Sequence, residues 1–289
     1  MMFRRVMLAV PALWLLLMLG APLVIVVLIA FAQPADGIPP YALGLSLENL
    51  RLVAADPLYR DALLHSVWVA GVSTLVCLLA GFPMALAISR APVRWQTMLL
   101  LAVMLPFWTG FLMRLNAWIG LLADDGWIVR LLGGHRLLYT DTAMYIGIVY
   151  TYLPFMVLPL YARLSRLDPA LMEAAADLGA PPWGVLARVV VPLSLPGVAA
   201  GVALVFIPAI GEYVIPALLG GPGAQLVGQV LWGEFFSNRD WPTAAAVAVW
   251  LLVVLVAVPG VGGLVIARLR RRRSGFELRL TGVGTVERS

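Results

Sequence analysis

Long apolar runs separated by short polar segments set the pattern of this chain. Six of them, at about 9–32, 63–88, 98–122, 143–162, 197–219 and 243–267, reach the roughly 20 residues that a helix needs to cross a bilayer core. The runs are continuous rather than alternating, which predicts helices and excludes a membrane barrel. The expected architecture is an all-α integral membrane protein, with one transmembrane domain over residues 1–289 and no internal repeat. One intervening segment stands out by length: 163–196, between the fourth and fifth runs, against only Ser89 to Gln96 between the second and third.

The first run opens after Arg4 and Arg5 and ends near Ala30-Phe31-Ala32, which resembles a leader with its cleavage site. The apolar stretch from Val6 to Ala32 is too long for a leader core of about 7–15 residues, so an uncleaved first helix is expected. Arginine placement gives an orientation. One set of polar segments carries fourteen: Arg4, Arg5, Arg90, Arg94, Arg163, Arg166, Arg188, Arg268, Arg270, Arg271, Arg272, Arg273, Arg279 and Arg288. The other set carries five: Arg51, Arg60, Arg130, Arg136 and Arg239. Positive charge stays on the cytoplasmic side. Both termini and the 163–196 segment are therefore expected in the cytoplasm of a bacterial cell, with the helices in its inner (plasma) membrane. The basic stretch from Arg268 to Arg273 follows the last run directly. It reads as an anchor on anionic lipid headgroups rather than as a nucleic-acid site.

Composition narrows the chemistry. Hydrophobic residues make up 62% of the 289 positions and charged residues 12%, where a soluble domain is nearer half and a quarter. All 20 basic residues are arginine. With no lysine there is no Walker A loop and no Schiff-base or lysine-base chemistry. Cys77 is the single cysteine, and His65 and His135 lie far apart, so no disulfide, zinc cluster or other cofactor site is expected. An intramembrane serine protease would need a nucleophile and a histidine at one depth. Ser66, Ser73 and His65 lie outside or near a helix end, and no G-x-S-x-G occurs. A non-catalytic membrane protein is the expectation. A proton-coupled transporter would show paired inverted repeats and several intramembrane carboxylates; one such carboxylate is found.

That carboxylate is Glu212, within Phe206-Ile207-Pro208-Ala209-Ile210-Gly211-Glu212-Tyr213-Val214-Ile215-Pro216. Arg114 is its counterpart in the third run. Both lie about four residues outward of the run midpoints, roughly 6 Å at 1.5 Å per residue. Charge inside a bilayer is costly and marks function by default. Pro208, Gly211 and Pro216 bracket Glu212 and weaken the helix there, and broken backbone survives at membrane depth only when buried in protein or lining water. Glu212 is expected on a translocation path, where a carboxylate suits a cation. A structural Glu212–Arg114 ion pair is the competing expectation, and substrate could compete for the carboxylate in either case. Trp108, Tyr152 and Tyr213 are candidate cation–π partners, although aromatics also gather at membrane interfaces. Gly197 and Gly201 form a G-x-x-x-G pair that predicts close helix packing.

The segment 163–196 holds a short, well-punctuated helix predicted over 169–178. Asp168 suits the N-cap and Pro169 the first helical position; Gly179 can cap the end and Pro181-Pro182 block continuation. Leu171, Ala174, Ala175 and Leu178 share one face, and Glu173 and Asp177 form a polar stripe on another. A membrane-surface helix carries arginine and bulky anchors. This one is acidic and small, which fits a protein partner better.

Glu173-Ala174-Ala175, then Leu178-Gly179-Ala180, then Val191-Pro192-Leu193-Ser194-Leu195-Pro196-Gly197 resemble the EAA loop of ABC importer permeases. The likeness extends over about 60–267, with a family-like first helix before it. The resemblance implies a six-helix type I ABC importer permease fold with a cytoplasmic coupling helix. It also implies a second permease subunit, ATP-binding ABC subunits and an extracytoplasmic substrate-binding protein as partners. Glu173, Ala174, Ala175, Asp177 and Gly179 would then form the contact with the ATPase. Pro106-Phe107-Trp108-Thr109, Arg114-Leu115-Asn116-Ala117-Trp118-Ile119 and the stretch from Pro208 to Gly221 resemble the spermidine/putrescine branch, its putrescine-type first subunit most. Tyr213 stands where that branch often has Phe. The resemblance implies polyamine import, with a permease for another small solute as the alternative.

Overall fold

The computed structural model describes residues 2–221 and 223–257. The end of the sixth predicted run and the basic stretch from Arg268 to Arg273 lie outside the described residues. Helix α1, Met2–Ala30, exposes apolar side chains around its circumference, including Leu13, Leu16 and Leu19. A helix apolar on all sides suits contact with lipid. Its far end alone packs inward, through Val26, Ile29 and Ala30. A two-residue ribbon follows, β1 (Gln33–Pro34) antiparallel to β2 (Tyr41–Ala42). Helix α2, Glu48–Ala55, ties back to α1: the Asn49 amide donates to the carbonyls of Ala30 at 3.2 Å and Ala32 at 2.7 Å. These bonds satisfy acceptors that the end of α1 leaves without an intrahelical partner.

Helix α3, Pro57–Arg90, starts where Asp56 accepts from the Leu58 amide at 2.8 Å and Pro57 takes the first turn. The predicted span 98–122 is not one helix. Helix α4, Val93–Met104, tightens into a 3-10 turn at Leu105–Trp108 and ends. Helix α5, Phe111–Leu122, and the short α6, Trp127–Leu131, leave at 89° to it. Pro106 has no amide to donate, and Thr109 is extended, at φ −94° and ψ 145°, which diverts the chain at the bend. Helix α7, Asp141–Leu164, begins with the Thr140 hydroxyl accepting from the Ala143 amide.

Helix α8, Pro169–Asp177, lies between α7 and the next long rod. That rod joins α9 (Pro182–Val185), a π turn at Leu186–Val190 and α10 (Val191–Ile210). It starts well before the predicted 197 and stops at Ile210 rather than 219; α11, Val214–Leu219, is a separate piece. The segment between the fifth and sixth predicted runs contains α12, Val227–Trp232, and a π turn at Gly233–Ser237. Helix α13 runs over Trp241–Ala257.

The core forms where α3, α7 and α10 meet, with Ala70, Cys77, Ile148, Met156, Leu160 and Val205 fully buried. Gly201 permits the contact: a methyl there would lie 2.6 Å from the Met156 sulfur and 3.3 Å from its carbonyl oxygen. Small residues let membrane helices approach in this way. A larger side chain would overpack the interface at a cost of about 1–3 kcal/mol.

Candidate functional site

The chain breaks twice inside apolar runs, and a charged side chain closes each break. At the first, α10 stops at Ile210 and Gly211 leaves the helical geometry. Glu212 turns back into the gap. Its Oε1 accepts from the amides of Val214 at 3.1 Å and Ile215 at 3.3 Å, the first turn of α11. Its Oε2 accepts from the Tyr152 hydroxyl of α7. Glu212 is 8% exposed and Tyr152 9%. An isolated carboxylate buried to that extent would be prohibitively costly, and three donors offset the cost. Tyr213, next in sequence, stacks on Trp232 of α12 with ring centroids 4.6 Å apart and planes 15° apart. Gly228 lets α12 approach: a methyl there would sit 2.6 Å from the Gly211 carbonyl oxygen.

At the second break the guanidinium of Arg114 reaches back to the end of the 3-10 turn. It donates to the carbonyls of Pro106 and, at 3.3 Å, Thr109. It also lies over the rings of Phe107 and Phe111, 5.2 and 5.8 Å from their centroids. The expected Glu212–Arg114 ion pair is therefore not formed. Among the described residues the ion pair is Arg60–Asp61, an exposed contact at 3.4 Å. The reason is local supply. A helix start offers free amides and a helix end free carbonyls, so each charge finds its partners at its own break.

The structure thus brings together Glu212, Tyr152 and Tyr213, and adds Trp232 to them. Arg114 belongs to the other break, and Trp108 sits there too, 79% exposed at the end of the turn. A second buried carboxylate was not singled out from the sequence. Glu234, 9% exposed, accepts from the Tyr59 hydroxyl at 2.9 Å and from the Asn238 amide at 2.9 Å. Its position in a largely apolar stretch of seven residues, Val230-Leu231-Trp232-Gly233-Glu234-Phe235-Phe236, was the available signal. It lies between the fifth and sixth predicted runs, where an acid reads as solvated.

On the other side of the core, α8 is capped at both ends. Asp168 accepts from the Ala170 amide at 3.0 Å. At the far end the Gly179 amide donates to Ala176 at 2.8 Å and the Ala180 amide to Ala175 at 3.1 Å. That paired arrangement needs a left-handed residue, and Gly179 has φ +81°. The helix ends one residue earlier than predicted, so Leu178 is a cap residue, 88% exposed. Of the predicted face, Leu171, Ala174 and Leu178 are exposed and Ala175 is half-buried. Met172 and Ala175 turn toward the body of the protein, with Met172 receiving a bond from Arg90, while Leu171, Ala174 and Leu178 face outward. Glu173, Asp177 and Gly179 are exposed beside them. The helix thus presents acidic, alanine and leucine side chains outward.

Comparison with known proteins places this arrangement. Residues 1–271 match the family described as binding-protein-dependent transport system inner membrane component. The chain belongs to that family. It is 36% identical over 260 residues to the spermidine/putrescine transport system permease protein PotB of Haemophilus influenzae, covering 88% of this chain and 90% of that one. It is 39% identical over 207 residues to PotB of Escherichia coli, covering 69% and 75%. Among solved structures it is similar to a chain of a bacterial alginate ABC transporter in complex with its alginate-bound periplasmic protein. The TM-score is 0.71 at 17% identity, with coverage of 88% and 90%. At that identity the likeness concerns the fold, and it is the type I ABC permease fold. The chain is a multi-pass inner-membrane permease component.

Proposed function

We propose that this permease carries polyamines such as putrescine and spermidine into the cytoplasm, driven by ATP that a partner subunit hydrolyses. The observation that carries the reading is a buried carboxylate at a break in a membrane helix, in a chain 36% identical to a spermidine/putrescine permease along most of its length. A diamine is a flexible cation at each end, and Glu212 offers it a low-dielectric counter-charge. The Tyr152 hydroxyl is the resident donor to that carboxylate, and an ammonium group replaces it during passage. Tyr213 supplies an adjacent ring face. Arg114 and Trp108 shape the pathway from the bend between α4 and α5.

The partners follow from the same reading. A loaded extracytoplasmic binding protein docks on the segments that join the helices on the outer side. A second permease subunit completes the pore. ATPase subunits grip α8 through Glu173, Ala174, Ala175, Asp177 and Gly179. Both termini and α8 face the cytoplasm, in line with fourteen arginines against five. Closure of the ATPases favours one of two arrangements of the bundle, and the difference in their contacts with substrate gives transport its direction.

The test is uptake of radiolabelled putrescine into proteoliposomes holding the full complex, with ATP enclosed. Uptake that requires ATP and the ATPase subunits supports the reading; a complex that imports neither putrescine nor spermidine overturns it. Glu173→Arg separates coupling from passage. The variant inserts normally, loses uptake and releases the ATPase in pull-down. Undiminished pull-down would remove Glu173 from the coupling contact.

A further inference from the structure

Six aromatic rings form a continuous series of contacts, two face-stacked and three tilted or edge-on, from the outer ribbon to the break that holds Glu212. Tyr41 of β2 lies 6.1 Å from Trp241, Trp241 stacks on Phe235 at 4.9 Å, and Phe235 meets Phe236 at 4.9 Å. Phe236 contacts Trp232 at 4.1 Å, and Trp232 stacks on Tyr213 at 4.6 Å. The rings come from β2, from α12 with its π turn, from the start of α13 and from the helix break, so no single helical period produces them. Carboxylates accompany the stack along its length. A surface cavity of about 580 Å³ at the Tyr41 end is lined by Asp36, Asn238, Arg239 and Asp240. Glu234 is buried in the middle, directly before Phe235, and Glu212 closes the inner end.

We propose that this stack is a relay for alkylammonium cations, leading from the acidic outer cavity to Glu212. The inference rests on the polyamine reading and adds the route. Ring faces attract cations by about 0.5–2 kcal/mol each, enough to hold an ammonium group briefly and too little to trap it. The stacked pairs close their facing surfaces against each other and leave their outer faces, and contacts 4–6 Å apart let one end of a diamine engage the next open face before the other end releases. The charge complementarity argues for a cation against plain interfacial aromatics, because a lipid-facing belt has no reason to carry a buried carboxylate beside it. Glu234 already holds two donors, so it contributes long-range potential to the route rather than a docking point.

The experiment compares Trp232→Leu and Trp232→Phe in the reconstituted complex, measuring putrescine imported per ATP hydrolysed. Trp232→Leu is expected to lower that ratio about tenfold. Trp232→Phe keeps a ring face and restores most of the ratio. A photoreactive diazirine derivative of putrescine, activated during turnover, should label α12 and be displaced by excess putrescine but not by neutral butanediol. An unchanged ratio in Trp232→Leu, or an equal loss in both variants, overturns the relay. The wild-type complex reports separately on the substrate: if it imports putrescine and the leucine variant does too at full ratio, polyamine transport stands and the route falls. If the wild type imports no amine, both fall together.

Discussion

At 211–213 the chain stops one helix and starts another around a carboxylate; at 109–110 it does so around a guanidinium. At the first break the charged side chain is buried: Glu212 bonds two amides of its own chain segment and one hydroxyl from α7. The second is half open, with Trp108, Thr109 and Gly110 exposed and Arg114 bonding two carbonyls of its own turn. Each charge matches the sign of the helix end it meets. They differ in what they can release. Glu212 depends on another helix for one of its three donors, so that donor can be exchanged for a ligand. Arg114 takes both of its carbonyl acceptors from within nine residues of chain, and it fastens a bend. On the polyamine reading proposed above, one break would bind and the other would set shape.

Reversing the charge at the first break should have the largest effect. Glu212→Arg sets a cation against the amides of α11 and is expected to abolish putrescine uptake in proteoliposomes while the protein still inserts. Glu212→Gln keeps the shape and acceptor oxygen but loses the charge, and uptake should fall about tenfold or more, since hydrogen bonds to a charged group are worth about 1.5–3 kcal/mol. Full uptake in Glu212→Gln would take the carboxylate off the substrate path. Arg114→Met tests the contrast. It leaves the Pro106 and Thr109 carbonyls without their donor, and detergent-solubilised protein should lose about 1–3 kcal/mol of stability. Its preference among putrescine, spermidine and neutral competitors should stay as in the wild type; a changed preference would erase the distinction between the two breaks. The smallest effect is expected for Tyr152→Phe, which removes a donor that substrate replaces anyway. Stability should fall by about 1 kcal/mol, with uptake within about threefold of wild type. A loss as large as that of Glu212→Gln would make Tyr152 part of the binding site rather than its stand-in.

The fold class and family were legible because lipid imposes them. A run such as Ala9 to Ala30 has one stable form in a bilayer. The pattern from Glu173 through Gly197 carries the family because capping, helix face and restart all have to fall at fixed spacing. The bracket of Pro208, Gly211 and Pro216 announced the break at Glu212. The bend at Thr109 went unread although Pro106 and Gly110 are present, since one proline near a helix end is also compatible with a continuous span. Glu234 was overlooked because its partners, Tyr59 and Asn238, lie 175 and 4 residues away. Nothing in the local pattern distinguishes a solvated acid from one that a remote hydroxyl holds. Which side of α8 turns inward was not legible: alanines and leucines occur around it, and only the position of Arg90 and the core shows that Met172 and Ala175 turn toward the body of the protein.

The sequence by itself determined that this chain spans a membrane, that it hydrolyses nothing through a lysine-bearing loop, and that it presents a short capped helix between its fourth and fifth spans. These follow from solvent and backbone, which act residue by residue and within a few turns. The tertiary structure decided which charges meet which partners. Glu212 met Tyr152 and two amides instead of Arg114, and rings from four separate segments came into one stack. Those choices depend on distances between residues far apart in the chain, and a linear pattern does not contain them.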